Sequence, residues 1–188
     1  MTPMQVLLKI DGLYSDRGGS EYHGESVTQL EHALQSAWLA EKHGQPTRMI
    51  AAALLHDIGH LLHHHGQDSL DRSINDRHEE LGTQFLAQAY GPEITEPIRL
   101  HVLAKRYLAT TRPGYSGLLS LASTRSLELQ GGLMNPEEVA AFQRQPYVAD
   151  AVSLREYDDC AKLAALFTPP YAYFRRYLEA ALSNLGLG

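Results

Sequence analysis

The chain has 188 residues, 44% of them apolar and 20% charged, which suits one domain around a single substantial core. Its net charge of -6 argues against a general nucleic-acid or anionic-membrane binder, which would want a basic face, although a local basic cluster could still hold a small anion. A lone cysteine, Cys160, excludes an internal disulfide framework and a Cys-rich zinc site, and makes a reducing, cytoplasmic setting the natural home; no apolar stretch reaches the ~18 residues of a membrane span, and the N-terminus lacks a signal-peptide layout.

The periodicity is helical nearly throughout, and no run alternates like a strand. Ser26-Val-Thr-Gln29 reads as a capping box opening a helix to about His43, stopped by Gly44 and Pro46. An apolar helix covers about 48–64. After a polar loop from Gly66 to Asn75, Asp76-Arg-His-Glu79 has the residue types to cap a helix that ends at Gly91-Pro92. A fourth helix runs from about Glu93 to Ala109 and a fifth over about 117–130, ending at Gly131-Gly132. Asn135-Pro136 looks like an N-cap followed by proline at the first helical position. Two further helices, about 147–165 and 171–184, are split by Pro169-Pro170. The expected architecture is all-α, one domain over 1–188, with no repeat, low-complexity segment or linker.

Chemistry concentrates in Met49-Ile-Ala-Ala-Ala-Leu-Leu-His-Asp-Ile-Gly-His60. A neutral His and an ionised Asp in so apolar a helix are costly unless something pairs with both, and a metal ion does so. Adjacent side chains on a helix diverge by ~100°, so His56 would serve one ion while the two carboxylate oxygens of Asp57 reach it and a second. His60 shares the face of His56 at i+4. His78 falls on the stripe His78, Leu81, Phe85, and His101 on the stripe Ile94, Ile98, His101, Lys105, Leu108; both patterns face a core. Any one of these could be a hydrogen-bonded core histidine, but two on core faces beside His56-Asp57 shift the balance toward a metal. With no thiolate, the donor set suits Fe, Mn or Zn. Periodicity makes His32 a surface histidine. His43 and the run His63, His64, His65 fall at helix ends and read as solvated, while His23 stays open. Arg155 and Asp158, at i+3, read as a surface ion pair.

The order His32, His56-Asp57, Asp158 resembles that of the HD-domain superfamily of all-helical metal proteins, most of them phosphohydrolases. Tyr22-His-Gly-Glu25, Gln29-Leu-Glu-His32, Ala53-Leu-Leu-His-Asp-Ile-Gly-His60, His101-Val-Leu-Ala-Lys-Arg-Tyr-Leu108 and Leu127-Glu-Leu-Gln-Gly-Gly132 resemble a narrower group. These are the diiron HD oxygenases that cleave the carbon–phosphorus bond of 1-hydroxyphosphonates. The resemblance covers about residues 20–165 and implies an HD-type helical bundle. One iron would take His32, His56, Asp57 and Asp158, and the other Asp57, His78 and His101, with Asp57 bridging. It makes His32 a ligand, turns Asp158 from ion-pair partner to ligand, and frees Arg155 to face an anion.

The same resemblance implies a phosphonate pocket of His60, Lys105, Ser123, Ser126 and Arg155. Tyr22 and Glu25 would be a mobile pair that covers the oxygen-binding position in the free enzyme and swings out when substrate binds, with Glu25 then able to face a cationic nitrogen; Tyr22, Glu25 and His60 are the catalytic candidates. The implied activity is O2-dependent cleavage of 1-hydroxy-2-(amino or trimethylamino)ethylphosphonate, giving phosphate and glycine or glycine betaine, in organophosphonate catabolism. The implied cofactor is a mixed-valence Fe(II)/Fe(III) pair, with O2 as co-substrate. The partner is a small hydroxyphosphonate, not nucleic acid or membrane. His23 and Tyr157 stand where aminoethyl-type members carry an aliphatic residue and a tryptophan. A trimethylammonium group would want aromatic faces, for which Tyr22, Tyr115 and Tyr157 are the available sources. The rival reading is a metal-dependent HD phosphohydrolase, which has no need of a gated oxygen site.

Overall fold

A computed structural model describes residues 1–22, 24–62 and 77–182. His23, His63, His64, His65, the loop 66–75 and Asp76 lie outside the described residues. Among those described the chain is all-α, with a single antiparallel bridge between Glu21 and Thr28.

The first helix, α1 (Pro3–Arg17), is absent from the periodicity reading above. Thr2 and Gln5 form its capping box, and Val6, Leu7, Ile10, Leu13 and Tyr14 line its buried face. Helix α2 (Gln29–Lys42) starts one box later than expected: Thr28 accepts from Glu31 N, and Glu31 reaches back to Thr28 N. Gly44 ends this helical segment in the left-handed region at φ +68°, where an L side chain would be strained.

The expected helix 48–64 is two helices, α3 (Thr47–Leu55) and α4 (Ile58–Leu62), interrupted at His56-Asp57. The break leaves late carbonyls of α3 without helical partners, and side chains fill the gap. His56 Nδ1 bonds Ala53 O at 2.9 Å, and the Tyr14 hydroxyl donates to Leu54 O. Arg17 similarly donates to Leu61 O of α4 at 2.9 Å. Helix α1 therefore braces the segment that carries the metal candidates.

Helix α5 (His78–Leu86) crosses α4 at closest approach through glycine. A Cβ on Gly59 would sit 2.0 Å from His78 O, and one on Gly82 would sit 3.3 Å from Gly59 N. His78 opens α5 behind Arg77 in a left-handed conformation (φ 49°), with no side-chain N-cap from that residue. Helix α6 (Pro92–Thr111) is the long central rod, followed by a 3₁₀ turn (Tyr115–Leu118) and α7 (Leu121–Leu129). Arg106 of α6 donates to the carbonyls of Gly131 and Gly132 and to Glu138, so it fastens the end of α7. Asn135 caps α8 (Pro136–Gln143) as expected. The bundle closes with α9 (Val148–Cys160), packed on α6 and α2, and α10 (Tyr171–Ala180), packed on α3. The main core joins α1, α2, α3 and α10 around Leu7, Ile10, Leu54, Leu55 and Phe174, all fully buried.

Candidate metal centre

Five segments meet at one buried point: His32 from α2, His56-Asp57 from the α3/α4 break, His78 from the start of α5, His101 from α6 and Asp158 from α9. Each imidazole is oriented from behind. His32 Nδ1 bonds Ala161 O at 2.8 Å, His56 Nδ1 bonds Ala53 O, and His101 Nδ1 bonds Ile98 O at 2.6 Å. A carbonyl only accepts, so in all three rings Nδ1 carries the proton and Nε2 presents a lone pair inward. His78 Nδ1 faces Glu79 Oε2 at 3.6 Å.

The Nε2 atoms form two pairs, His32 with His56 at 3.1 Å and His78 with His101 at 3.2 Å. Asp57 stands between the pairs with one oxygen toward each. Oδ2 lies 3.6 Å from His32 and 3.5 Å from His56; Oδ1 lies 3.3 Å from His78 and 3.5 Å from His101. Asp158 Oδ1 is 3.5 Å from His32 Nε2, and its Oδ2 is 3.9 Å from His56 Nε2. The break at His56-Asp57 makes this possible, since the two side chains converge instead of spreading around a continuous helix.

These residues fit metal ions. Two facing lone pairs at 3.1 Å repel unless a cation lies between them, and burial pushes His32 down to about 4, so it is a neutral ligand at pH 7. Asp57 Oδ1 and Asp158 Oδ1 are buried acceptors with no hydrogen-bond partner. Donors ~2.0–2.2 Å from one ion lie about 3–3.5 Å apart, which matches the spacings within each pair. Burial alone would raise the Asp57 carboxyl, but the surrounding imidazoles of His56, His101 and His78 outweigh it and hold it well below the usual range. Imidazole and carboxylate without thiolate suit Fe, Mn or Zn.

Near the centre lies a cationic cluster, whose Lys105 is within electrostatic reach of Asp158, Arg155 and Lys162. Lys105 is buried and donates to Ser126 Oγ at 2.7 Å; Lys162 donates to Ser123 Oγ at 2.7 Å. Ser123 and Ser126 share a face of α7 at i+3, so two lysine–serine pairs stand side by side. Burial, aided by Arg155, pushes the Lys105 ammonium down to about 7. His60 stacks on His78 with centroids 3.9 Å apart, and its Nε2 is 4.0 Å from Asp57 Oδ1. Tyr22 donates to Asp57 Oδ2 at 2.8 Å and stacks on His32. Glu25 accepts from Ser120 and lies 4.0 Å from Lys162 Nζ.

Two sequence expectations need correction. His32 is fully buried rather than superficial, because α9 and the segment after it cover the second face of α2. The Arg155–Asp158 ion pair exists, is buried, and measures 2.7 Å, while Asp158 Oδ1 still faces His32; pair and ligand are not alternatives. Arg155 is held through Nη1 by Asp158 and through Nη2 by Asp159, while its buried Nε has no hydrogen-bond partner. The three tyrosines do not gather into an aromatic box. Tyr22 lies on His32, Tyr115 donates to Asp159, and Tyr157 faces His43 at 5.5 Å.

Lys162 and Glu79 are absent from the sequence-derived site. For Lys162 a signal existed: it stands four residues past the candidate ligand Asp158, as Lys105 stands four past His101.

The sequence matches the HD domain over residues 29–142. It is 46% identical over 165 residues to [1-hydroxy-2-(trimethylamino)ethyl]phosphonate dioxygenase (glycine-betaine-forming) of Leisingera caerulea, covering 88% of this chain and 84% of that one. It is 44% identical over 184 residues to hydroxymethylphosphonate dioxygenase of Gimesia maris, covering 97% and 91%.

Proposed function

The chain belongs to the HD-domain family, and from that membership we propose that it is a dioxygenase that cleaves the carbon–phosphorus bond of a 1-hydroxyphosphonate. C1 leaves as a carboxylic acid and phosphorus as phosphate. The C–P bond and the C1–H bond break, four electrons pass to O2, and the products carry two more oxygen atoms than the substrate. The observation that most supports this reading is the Asp57 carboxylate, with one oxygen toward each histidine pair, in a chain 44–46% identical to two phosphonate dioxygenases.

The ligands would be His32, His56, Asp57 and Asp158 for one ion, and Asp57, His78 and His101 for the other. A bound pair of iron ions, mixed-valent in the active form, would supply Lewis acidity toward the 1-hydroxyl and phosphonate oxygens and the redox capacity for O2 chemistry. The remaining work falls to the chain. Lys105, Ser123 and Ser126 offer a dianion one ammonium and two hydroxyls. His60, stacked on His78 and 4.0 Å from Asp57 Oδ1, would be a further contact for the phosphonate. Tyr22, hydrogen-bonded to Asp57 Oδ2 and lying on His32, covers the first pair and keeps water from it. The buried Arg155 holds Asp158 ionised and aimed.

On the amine end of the substrate, the tyrosine arrangement favours no cation–π cage. Glu25 is the group available to a primary ammonium, and hydroxymethylphosphonate needs none. The test compares hydroxymethylphosphonate with the 2-amino and 2-trimethylamino 1-hydroxyethyl analogues, in air and anaerobically, reading phosphate and O2 uptake. One O2 consumed per phosphate released is expected, with negligible anaerobic turnover and no release from a phosphate ester. Equal phosphate release without O2 would replace this reading with hydrolysis.

A further inference from the structure

Two backbone clamps fix Lys162. The preceding carbonyl, Ala161 O, is held by His32 Nδ1, and the following residue, Leu163, exchanges two hydrogen bonds with Gln35 at 3.0 and 2.9 Å. The backbone is thus tied to a candidate metal ligand, and only the side chain is able to respond. That side chain is 12% exposed. Its ammonium donates to Ser123, lies 4.0 Å from Glu25 Oε1, and stands 6.0 Å from the centroid of the Tyr22 ring. Its charge acts on both His32 and Asp158.

Glu25 is in turn coupled to Tyr22. Glu25 N donates to Tyr22 O at 2.8 Å, and Tyr22 N donates to Val27 O at 3.0 Å, so the two residues share one tight turn. The connected series runs Ser123, Lys162, Glu25, Tyr22, Asp57. Arg155, the other cation expected here, already pairs through its two Nη atoms with Asp158 and Asp159, whereas Lys162 has one carboxylate 4.0 Å away.

The resemblance already implies that Tyr22 and Glu25 swing out when substrate binds; we propose that Lys162 is the residue that couples this movement to the anion, by exchanging its carboxylate partner Glu25 for the substrate's phosphonate. The proposal rests on the phosphonate reading of the pocket. A dianion seated on the Ser123/Ser126 face, between Lys105 and Lys162, offers the ammonium two charges where Glu25 offers one. It also repels the Glu25 carboxylate, which keeps its hydrogen bond from Ser120. The Lys162 side chain turns while its backbone stays, and the Tyr22 hydroxyl loses its place on Asp57. Substrate binding and uncovering of the His32–His56 side become one event, and Lys162 contributes to both.

The experiment uses iron-loaded protein under anaerobic conditions, with inorganic phosphate and hydroxymethylphosphonate as probes in calorimetric titrations. Lys162→Met is expected to weaken both by tenfold or more, with Lys162→Arg retaining most of the affinity. Glu25→Gln is expected to tighten phosphate severalfold in the wild-type background, and that gain is expected to vanish in Lys162→Met. In steady state, Lys162→Met is expected to lower kcat as well as raise KM, because uncovering is impaired too. Iron content and Tm confirm that each variant is folded. Unchanged affinity in Lys162→Met, or strictly additive effects of the two substitutions, would overturn the proposal while leaving the dioxygenase reading intact. Failure of wild type to bind either probe, with no O2-dependent turnover, would remove both.

Discussion

The hydroxyl of Tyr22 donates to Asp57 Oδ2 at 2.8 Å while its ring lies on His32, 3.9 Å between centroids and 14° from parallel. One side chain thus engages the shared carboxylate and one member of a histidine pair together. The neutral phenol is strongly favoured: burial and the nearby Asp158 and Asp57 push its ionisation well above the ordinary range. Tyr22→Phe removes the donor and keeps the stacking. It is expected to retain metal, to lose about 1–2 kcal/mol of stability in the metal-free protein, as for a hydrogen bond to a charged acceptor, and to turn over with a changed ratio of O2 consumed to phosphate released. Thermal melts and paired O2 and phosphate assays read these outcomes.

Asp57 is the group through which the two histidine pairs share charge. Asp57→Ala leaves two pairs of facing Nε2 atoms with no anion between them. Metal content is expected to fall from about two ions per chain to near none. A variant that kept both ions would show that the pairs bind independently, and that the bridging assignment is wrong.

Lys105 makes a pH dependence with a defined sign. Its ammonium is pushed down to about 7 in the folded chain, by burial and then by Arg155, against about 10.4 for an unperturbed lysine. Between those values the unfolded chain holds the extra proton, so stability contributed by this group rises with pH above about 7 and is lost as pH falls through it. The difference in unfolding free energy between wild type and Lys105→Met is expected to show that slope. Binding runs the other way. A phosphonate dianion favours the ammonium, so binding takes up a proton, and affinity is expected to fall by up to tenfold per unit above about pH 7. Titration in buffers of different ionisation enthalpy, with allowance for the phosphonate's own ionisation, measures the proton uptake.

Gly59 has no room for a methyl group. A Cβ there would lie 2.0 Å from His78 O and 2.9 Å from His78 Cα, both backbone atoms with no rotamer to yield. Gly59→Ala is expected to push α5 off α4 and carry His78 away from His101. The His32–His56 side should survive better, so a variant holding about one ion per chain is the expected product, with a Tm several degrees lower. Equal loss at both positions would mean that the crossing serves the whole bundle.

Much of the bundle could be read from the sequence because its helices bury one face. The stripe through Ile94, Ile98 and His101 has that form, and all three are buried. Periodicity failed at His32 for the complementary reason. A hydrophobic stripe reports the face against the core, whereas the other face of α2 is covered by α9 and its following segment, 129 positions away at the Ala161 contact. The break at His56-Asp57 was invisible because the apolar run from Met49 through Leu62 keeps the pattern of one helix, inside which an isolated glycine such as Gly59 is tolerated. Its causes are tertiary: the Tyr14 hydroxyl on Leu54 O and the tight passage of α5 over Gly59. Helix α1 carries its own signal in Thr2-Pro3 and Gln5, a capping box with proline at the first helical position. The resemblance supplied His32 and Asp158 as ligands, yet it released Arg155 from a pairing that the fold retains.

The anchoring of His32 to Ala161 has a consequence for assembly. The candidate ligands on α2, α5, α6 and α9 cannot converge until the segments around His32 and Ala161 have met, so a long loop must close before a metal would be gripped. The nascent chain therefore has to reach a near-native bundle unaided, carrying crowded lone pairs at its heart. Metal then acts as a late lock rather than a nucleus: it should slow unfolding far more than it speeds folding.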